Sequence, residues 1–98
     1  MALLQLTIIP LGTQTPSVGD YVADIQKALE KENVSFKLTD MGTLIQGDVH
    51  DLLQVVSRIY ELPFQRGAER VVTQMVIDDR RDKDVAIGDK TSAVKERM

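Results

Sequence analysis

The chain contains no cysteine and no tryptophan. The first absence removes disulfides, thiolate metal sites and cysteine nucleophiles together. The second leaves Tyr21, Phe36, Tyr60 and Phe64 as the whole aromatic complement. Stacking on a flat ligand would therefore fall to one of these at the edge of the core, or to Met41 or Met75. A basic excess is also missing: 12 Lys and Arg stand against 15 Asp and Glu, a net charge of −3. A surface that neutralises phosphates carries the opposite balance, so nucleic acid is not an expected partner. No stretch approaches the ~18 apolar residues that cross a bilayer. The apolar start, MALLQLTIIPLG, has no Lys or Arg ahead of it and is broken by Gln5, Thr7 and Pro10. It reads as a strand rather than a signal peptide. These features fit a cytoplasmic protein.

Catalytic patterns are equally scarce. His50 is the single histidine, and no sequence around Ser17, Ser35, Ser57 or Ser92 forms a nucleophile elbow for it to serve. There is no HExxH, no P-loop and no GxGxxG. Asp78, Asp79, Asp82 and Asp84 are acidic enough to suggest a hard cation. They lack EF-hand spacing, and Arg80, Arg81 and Lys83 sit among them, so the segment reads as a charge-balanced solvated loop. No catalytic residue, metal or cofactor is expected.

What is present is periodicity. The chain has 98 residues, 43% hydrophobic and 28% charged, the profile of one globular domain spanning residues 1–98. Residues 3–9 alternate with period two and predict a strand ended by Pro10 and Gly12. Ser17 is a natural N-cap for a helix whose stripe is Val18, Val22, Ile25 and Leu29, with Tyr21 and Ala28 beside it and Asn33 as the stop. Residues 34–39 and 43–46 predict a hairpin turning at Met41 and Gly42. Asp48 caps a second helix with the stripe Val49, Leu52, Leu53, Val56, Ile59 and Tyr60, which Pro63 kinks or ends. Residues 70–78 form the last strand, and residues 88–97 a short helix.

This order predicts an α+β fold, a ferredoxin-like βαββαβ sandwich with an additional short C-terminal helix. Right-handed crossovers place the first and third strands at the centre and both long helices on one face. The other face is left open, with Leu3, Ile9, Leu44, Val72 and Val76 on it. An apolar open sheet predicts sheet-to-sheet association into a homo-oligomer.

Uncharged polar residues lie among these apolar ones: Gln5, Thr7, Thr43, Gln46 and Gln74. Apolar walls with a few hydrogen-bonding groups are what a small-molecule pocket needs. Strand parity puts Gln5, Thr7, Gln46 and Gln74 on the open face. Cross-strand hydrogen bonding explains the same residues without a ligand.

The segments LTIIPLGT, PSVGDYV, MGTLIQG and RVVTQMVIDDRRDK resemble, in the same order and spacing, the small thiamine-binding protein family. The resemblance implies a ferredoxin-like, non-enzymatic cytoplasmic protein that holds thiamine or its hydroxymethylpyrimidine half. It implies dimers or dimers of dimers, with ligand near subunit contacts. Its signature falls on Met41, Gly42 and Thr43. Thr43 and Gln46 are the expected polar contacts, Thr7 and Gln5 the contribution of the neighbouring strand, and Gly12 and Gly42 the shapers of adjacent turns. The family often carries Glu where this chain has Gln46. A carboxylate attracts the thiazolium cation; an amide offers hydrogen bonds alone. Gln46 therefore predicts a preference for the neutral pyrimidine.

Three other readings fit the residues. One is a regulatory or oligomerisation module that senses another small metabolite, since this fold hosts many functions. Another is an enzyme site shared between subunits, with Arg70, Asp79, Arg80 and Lys90 as its charged groups. The third is an anion site built from basic residues and a helix N-terminus.

Overall fold

Alternation along the first segment does produce a strand, and a longer one than its apolar run. The computed structural model describes residues 1–12 and 18–98. Its elements are β1 (Ala2–Leu11), α1 (Gly19–Lys31), β2 (Ser35–Thr39), β3 (Gly42–Gly47), α2 (Val49–Ile59), α3 (Leu62–Gln65), β4 (Arg70–Asp79) and α4 (Asp89–Glu96). The four strands form one sheet in the order β2-β3-β1-β4, every neighbouring pair antiparallel. This is the ferredoxin-like α+β arrangement, with β1 and β3 central as expected.

The core lies between the sheet and the two long helices. Ala2, Leu4 and Leu6 alternate inward from β1 and meet Ile45 of β3, Ile25 and Leu29 of α1, and Leu52, Val56 and Ile59 of α2. Leu4, Leu29, Ile45 and Leu52 are completely buried. Two bidentate ion pairs hold the helices together at the surface. Arg58 of α2 grips Glu32 beyond the end of α1, at 2.7 and 2.9 Å. Arg66, just past α3, grips Asp24 of α1.

The structure corrects several local expectations. Pro10 does not end β1 but is buried within it, opposite Val71. The reason is the register: β1 pairs with β3 only as far as Leu6 and with β4 along its whole length. Around Pro10 the strand has a neighbour on one side only, where a missing donor is tolerated. On α2 the buried set is Leu52, Val55, Val56 and Ile59, whereas Leu53 and Tyr60 are exposed. Spacings of three and four follow the helical pitch; a residue one step on from Leu52 turns away from the sheet. Helix α1 ends at Lys31, ahead of Asn33, and Val18 stands exposed outside it. The cap expected at Ser17 lies outside the described residues. Asp48 does cap α2, accepting from His50 N at 3.0 Å, and His50 is exposed.

Cross-strand pairing places Leu3, Gln5, Thr7, Ile9, Leu44, Gln46, Val72, Gln74 and Val76 on the face away from the helices, as parity predicted. One end of that face is not bare. Gln46 and Asp78 both stand opposite Leu3. Gln46 Oε1 accepts from Ile87 N at 2.7 Å, and the Asp78 carboxylate pairs with Lys90 Nζ. Val85 is buried nearby in sequence, so the segment after β4 is anchored to the sheet at this end. Helix α4 itself buries no residue. The acidic loop is solvated and internally paired, Arg80 with Asp82 and Arg81 with Asp79.

Two predictions follow from this packing. Leu4→Ala should cost about 2–5 kcal/mol, the range for deleting a fully buried Leu, read as a lower urea midpoint at unchanged slope. The second concerns acid. Hydrogen bonds from arginine hold Asp24, Glu32 and Asp79 below the usual carboxylate range, and Asp82 at about 2. Folded values below unfolded ones mean this stability is complete above the unfolded pKa of about 4 and is lost as pH falls through the folded values. The pairs are exposed, so the loss is modest and salt-sensitive. Urea midpoints between about pH 6 and pH 3 should fall less in an Asp24→Asn/Glu32→Gln variant than in the wild type.

Candidate functional site

A six-residue strand beside a ten-residue strand leaves a step in the sheet. Beyond Leu6, β1 has no β3 neighbour, and the β2-β3 hairpin turns away at Asp40 and Met41. Helix α1 passes over this step. The space enclosed is a cavity of about 180 Å³, walled by Leu6 and Ile8 of β1, Tyr21, Ile25 and Gln26 of α1, and the hairpin from Leu38 to Thr43.

Three hydrogen bonds fix the hairpin end of this cavity. Thr39 Oγ1 donates to Gly42 O at 2.8 Å and accepts from Met41 N at 3.3 Å. Thr7 Oγ1 donates to Met41 O at 3.2 Å, tying the turn to β1. Gly42 is required here. Its φ is +152°, and an added Cβ would stand 2.8 Å from Thr7 Oγ1 and 3.0 Å from Leu6 O.

The polar floor is a pair. Thr43, 5% exposed, is the buried polar residue of the core, and its Oγ1 accepts from Gln26 Nε2 at 2.9 Å. Gln26 Oε1 is buried and has no donor. An unsatisfied buried acceptor costs about 1–3 kcal/mol, and turning the terminal amide exchanges the orphan without removing it. The remaining walls are aliphatic, with the Tyr21 ring and Met41 as the flat or soft surfaces. Among the described residues that line the cavity, Asp40 is the one that carries a charge.

The structure divides the residues named from sequence. Thr7, Met41, Gly42 and Thr43 meet at the cavity. Gln5 and Gln46 do not line it; both belong to the opposite face, where Gln46 holds Ile87 N. Gly12 follows β1 with a positive φ of 69° and lies outside the lining set. Gln26 was missed, although its signal was present: it lies four residues after Val22 and three before Leu29, a polar residue on the apolar side of α1. Of the charged groups of the enzyme reading, Arg70 stands apart, and Lys90 is paired with Asp78. Arg70 and Asp79 stand at opposite ends of β4, and Asp79 and Arg80 are taken up in ion pairs with Arg81 and Asp82. Among the described residues no cluster of His, Cys, Asp or Glu could hold a metal ion, and no helix is long and apolar enough to cross a membrane.

Fold and cavity together define a small α+β domain with a cavity of about 180 Å³ beside the turn of its β2-β3 hairpin. The family described as thiamine-binding protein matches residues 4–95, and the chain belongs to that family. It is 47% identical to the UPF0045 protein YqgV of Bacillus subtilis over all of this chain and 98% of the relative. The crystal structure of the hypothetical protein MJ1052 from Methanocaldococcus jannaschii superposes with a TM-score of 0.85 at 29% identity, covering 97% of this chain and 96% of that one. A Thermotoga maritima protein, described as a candidate for thiamine biosynthesis or salvage, shares the fold with a TM-score of 0.81 at 15% identity. The match covers 95% of this chain and 97% of that one.

The crowding at Gly42 generates a test. Gly42→Ala should destabilise the fold by about 1–3 kcal/mol through backbone strain and the contact with Thr7. Gly47→Ala, which meets only the flexible end of Leu52 at 3.3 Å, should cost clearly less in the same thermal denaturation.

Proposed function

We propose that this protein binds thiamine or a related hydroxymethylpyrimidine reversibly, without covalent chemistry, and that the pyrimidine ring enters the cavity under α1. The observation that carries this is the hydrogen-bonded pair of half-buried Gln26 and buried Thr43, with the buried Gln26 Oε1 left without a donor. An aminopyrimidine presents an amine donor next to a ring-nitrogen acceptor. A carboxamide is complementary to that edge, the pairing by which Gln or Asn reads adenine. Size supports the same reading. A cavity of ~150 Å³ accepts benzene, so 180 Å³ suits one substituted six-membered ring. Tyr21 and Met41 supply the flat and polarisable walls such a ring prefers. The family description points to the same vitamin.

Thr43, Gln26 and Thr7 are then the polar contacts, with Gly42 and Met41 shaping the entrance. Gln5 and Gln46 lie on the other face and would reach a ligand only where a second copy completes a site there. We also propose a cytoplasmic homo-oligomer, dimer or dimer of dimers, that buries the uncovered part of that face, where Ile9 and Val76 stand exposed. Val76→Lys should lower the mass measured by light scattering.

The polar pair separates a ligand role from a packing role. A Gln26→Leu/Thr43→Val variant replaces both members with apolar groups of similar shape, a change that is near neutral or stabilising for a fold. It should match or exceed the wild-type melting temperature yet lose at least ~10-fold in calorimetric affinity for hydroxymethylpyrimidine, as expected for losing hydrogen bonds of ~1–3 kcal/mol. Lost stability with retained binding would contradict the proposal.

A further inference from the structure

The cavity is sized for one ring on the reading proposed above, and its entrance bears on what is attached to that ring. The inner walls, Leu6, Ile25 and Thr43, are buried. The outer lining is exposed: Leu38 is 50% and Met41 79% accessible, and Asp40 lies between them in the turn. Among the described residues, Asp40 is the only charged one lining the cavity. It makes none of the ion pairs that engage Asp24, Glu32, Asp78, Asp79 and Asp82. Among the described residues, no Lys or Arg lines the cavity.

We propose that Asp40, flanked by Leu38 and Met41, is an outer subsite that selects ligands carrying an organic cation on the buried ring and rejects those carrying a phosphate. This rests on the reading of the cavity as a pyrimidine site and names the chemistry of its second half. Two exposed apolar side chains give a soft platform for a flat heteroaromatic group, and thioether sulfur favours the edge of such a ring. The carboxylate supplies the opposite charge. A phosphate ester reaching the same entrance would meet that carboxylate and no guanidinium or ammonium to offset it. Gln46, from which the sequence predicts a preference for the neutral pyrimidine, does not line this cavity, and a carboxylate at Asp40 favours the cation instead.

The test is titration calorimetry of the full chain and of Asp40→Asn, a substitution that suits an exposed turn. The probes are thiamine, its neutral hydroxymethylpyrimidine half and thiamine monophosphate, at low salt and at about 1 M salt. One unit charge at ~4 Å in water corresponds to a factor of about five in affinity. Asp40→Asn should therefore weaken thiamine about fivefold at low salt and much less at high salt, and leave the neutral pyrimidine unchanged. The wild type should bind the monophosphate more weakly than thiamine, and Asp40→Asn should narrow that gap. Equal effects on thiamine and the pyrimidine, no effect on either, or a monophosphate that binds the wild type better than thiamine does, would overturn the Asp40 subsite and leave the cavity reading intact. A wild type that binds neither thiamine nor the pyrimidine would overturn the cavity reading and the subsite with it.

Discussion

The unequal length of two neighbouring strands governs this molecule. Strand β1 runs ten residues and pairs with β4 throughout, but β3 accompanies it only from Ala2 to Leu6. Had β3 continued, residues 7–11 would be paired on both sides, Pro10 would be intolerable there, and the space under α1 would be filled by sheet. Because β3 begins at Gly42, the hairpin must turn beside Thr7, close enough that only glycine fits. The fold's regular half makes the core; the step where it stops makes the cavity.

Much of this was legible in the residues. Period-two runs located the strands, the βαββαβ order predicted the topology, and parity assigned Gln5, Thr7, Gln46 and Gln74 to one face. What parity did not supply was which face holds the cavity. Thr43 points among the helices and Thr7 away from them, and the two share a cavity only because the sheet is stepped between them. The step depends on where β3 starts relative to β1, a register set by tertiary packing rather than by local preference. Gln46 looked like a ligand contact because it is a polar residue beside a signature turn. Its partner, Ile87 N, lies 41 residues further along, and no local pattern announces a bond of that range. Gln26 was hidden differently: one polar residue in an amphipathic helix reads as a boundary residue until the helix is docked. At Leu53 and Tyr60 apolar character alone predicts an inward-facing side chain, but the helical pitch leaves both in solvent.

The cavity has the makings of a recognition site as proposed: mostly apolar walls with the hydroxyls of Thr7 and Thr39 among them, a floor of an amide and a hydroxyl and, among the described residues, one charged lining residue, Asp40. The Gln26–Thr43 pair contributes little to folding alone, since an apolar pair would fill the same space without an orphaned acceptor. Its place in the lining of the cavity is accounted for by the proposed ligand, whose edge would complete it. The family is described as thiamine-binding protein, and the proposed donor and acceptor pattern suits a flat heterocycle with an amine beside a ring nitrogen.

The most direct test of this account is a heteronuclear NMR titration of the protein with hydroxymethylpyrimidine, following side-chain amides and backbone amides together. The account predicts saturable shifts of the Gln26 side-chain amide, with Thr43, Gly42 and Tyr21 moving in step and Gln5 and Gln74 unmoved. Saturable shifts confined to Gln5, Gln46 and Gln74, with the Gln26 amide unchanged, would contradict it and place the ligand on the opposite face of the sheet.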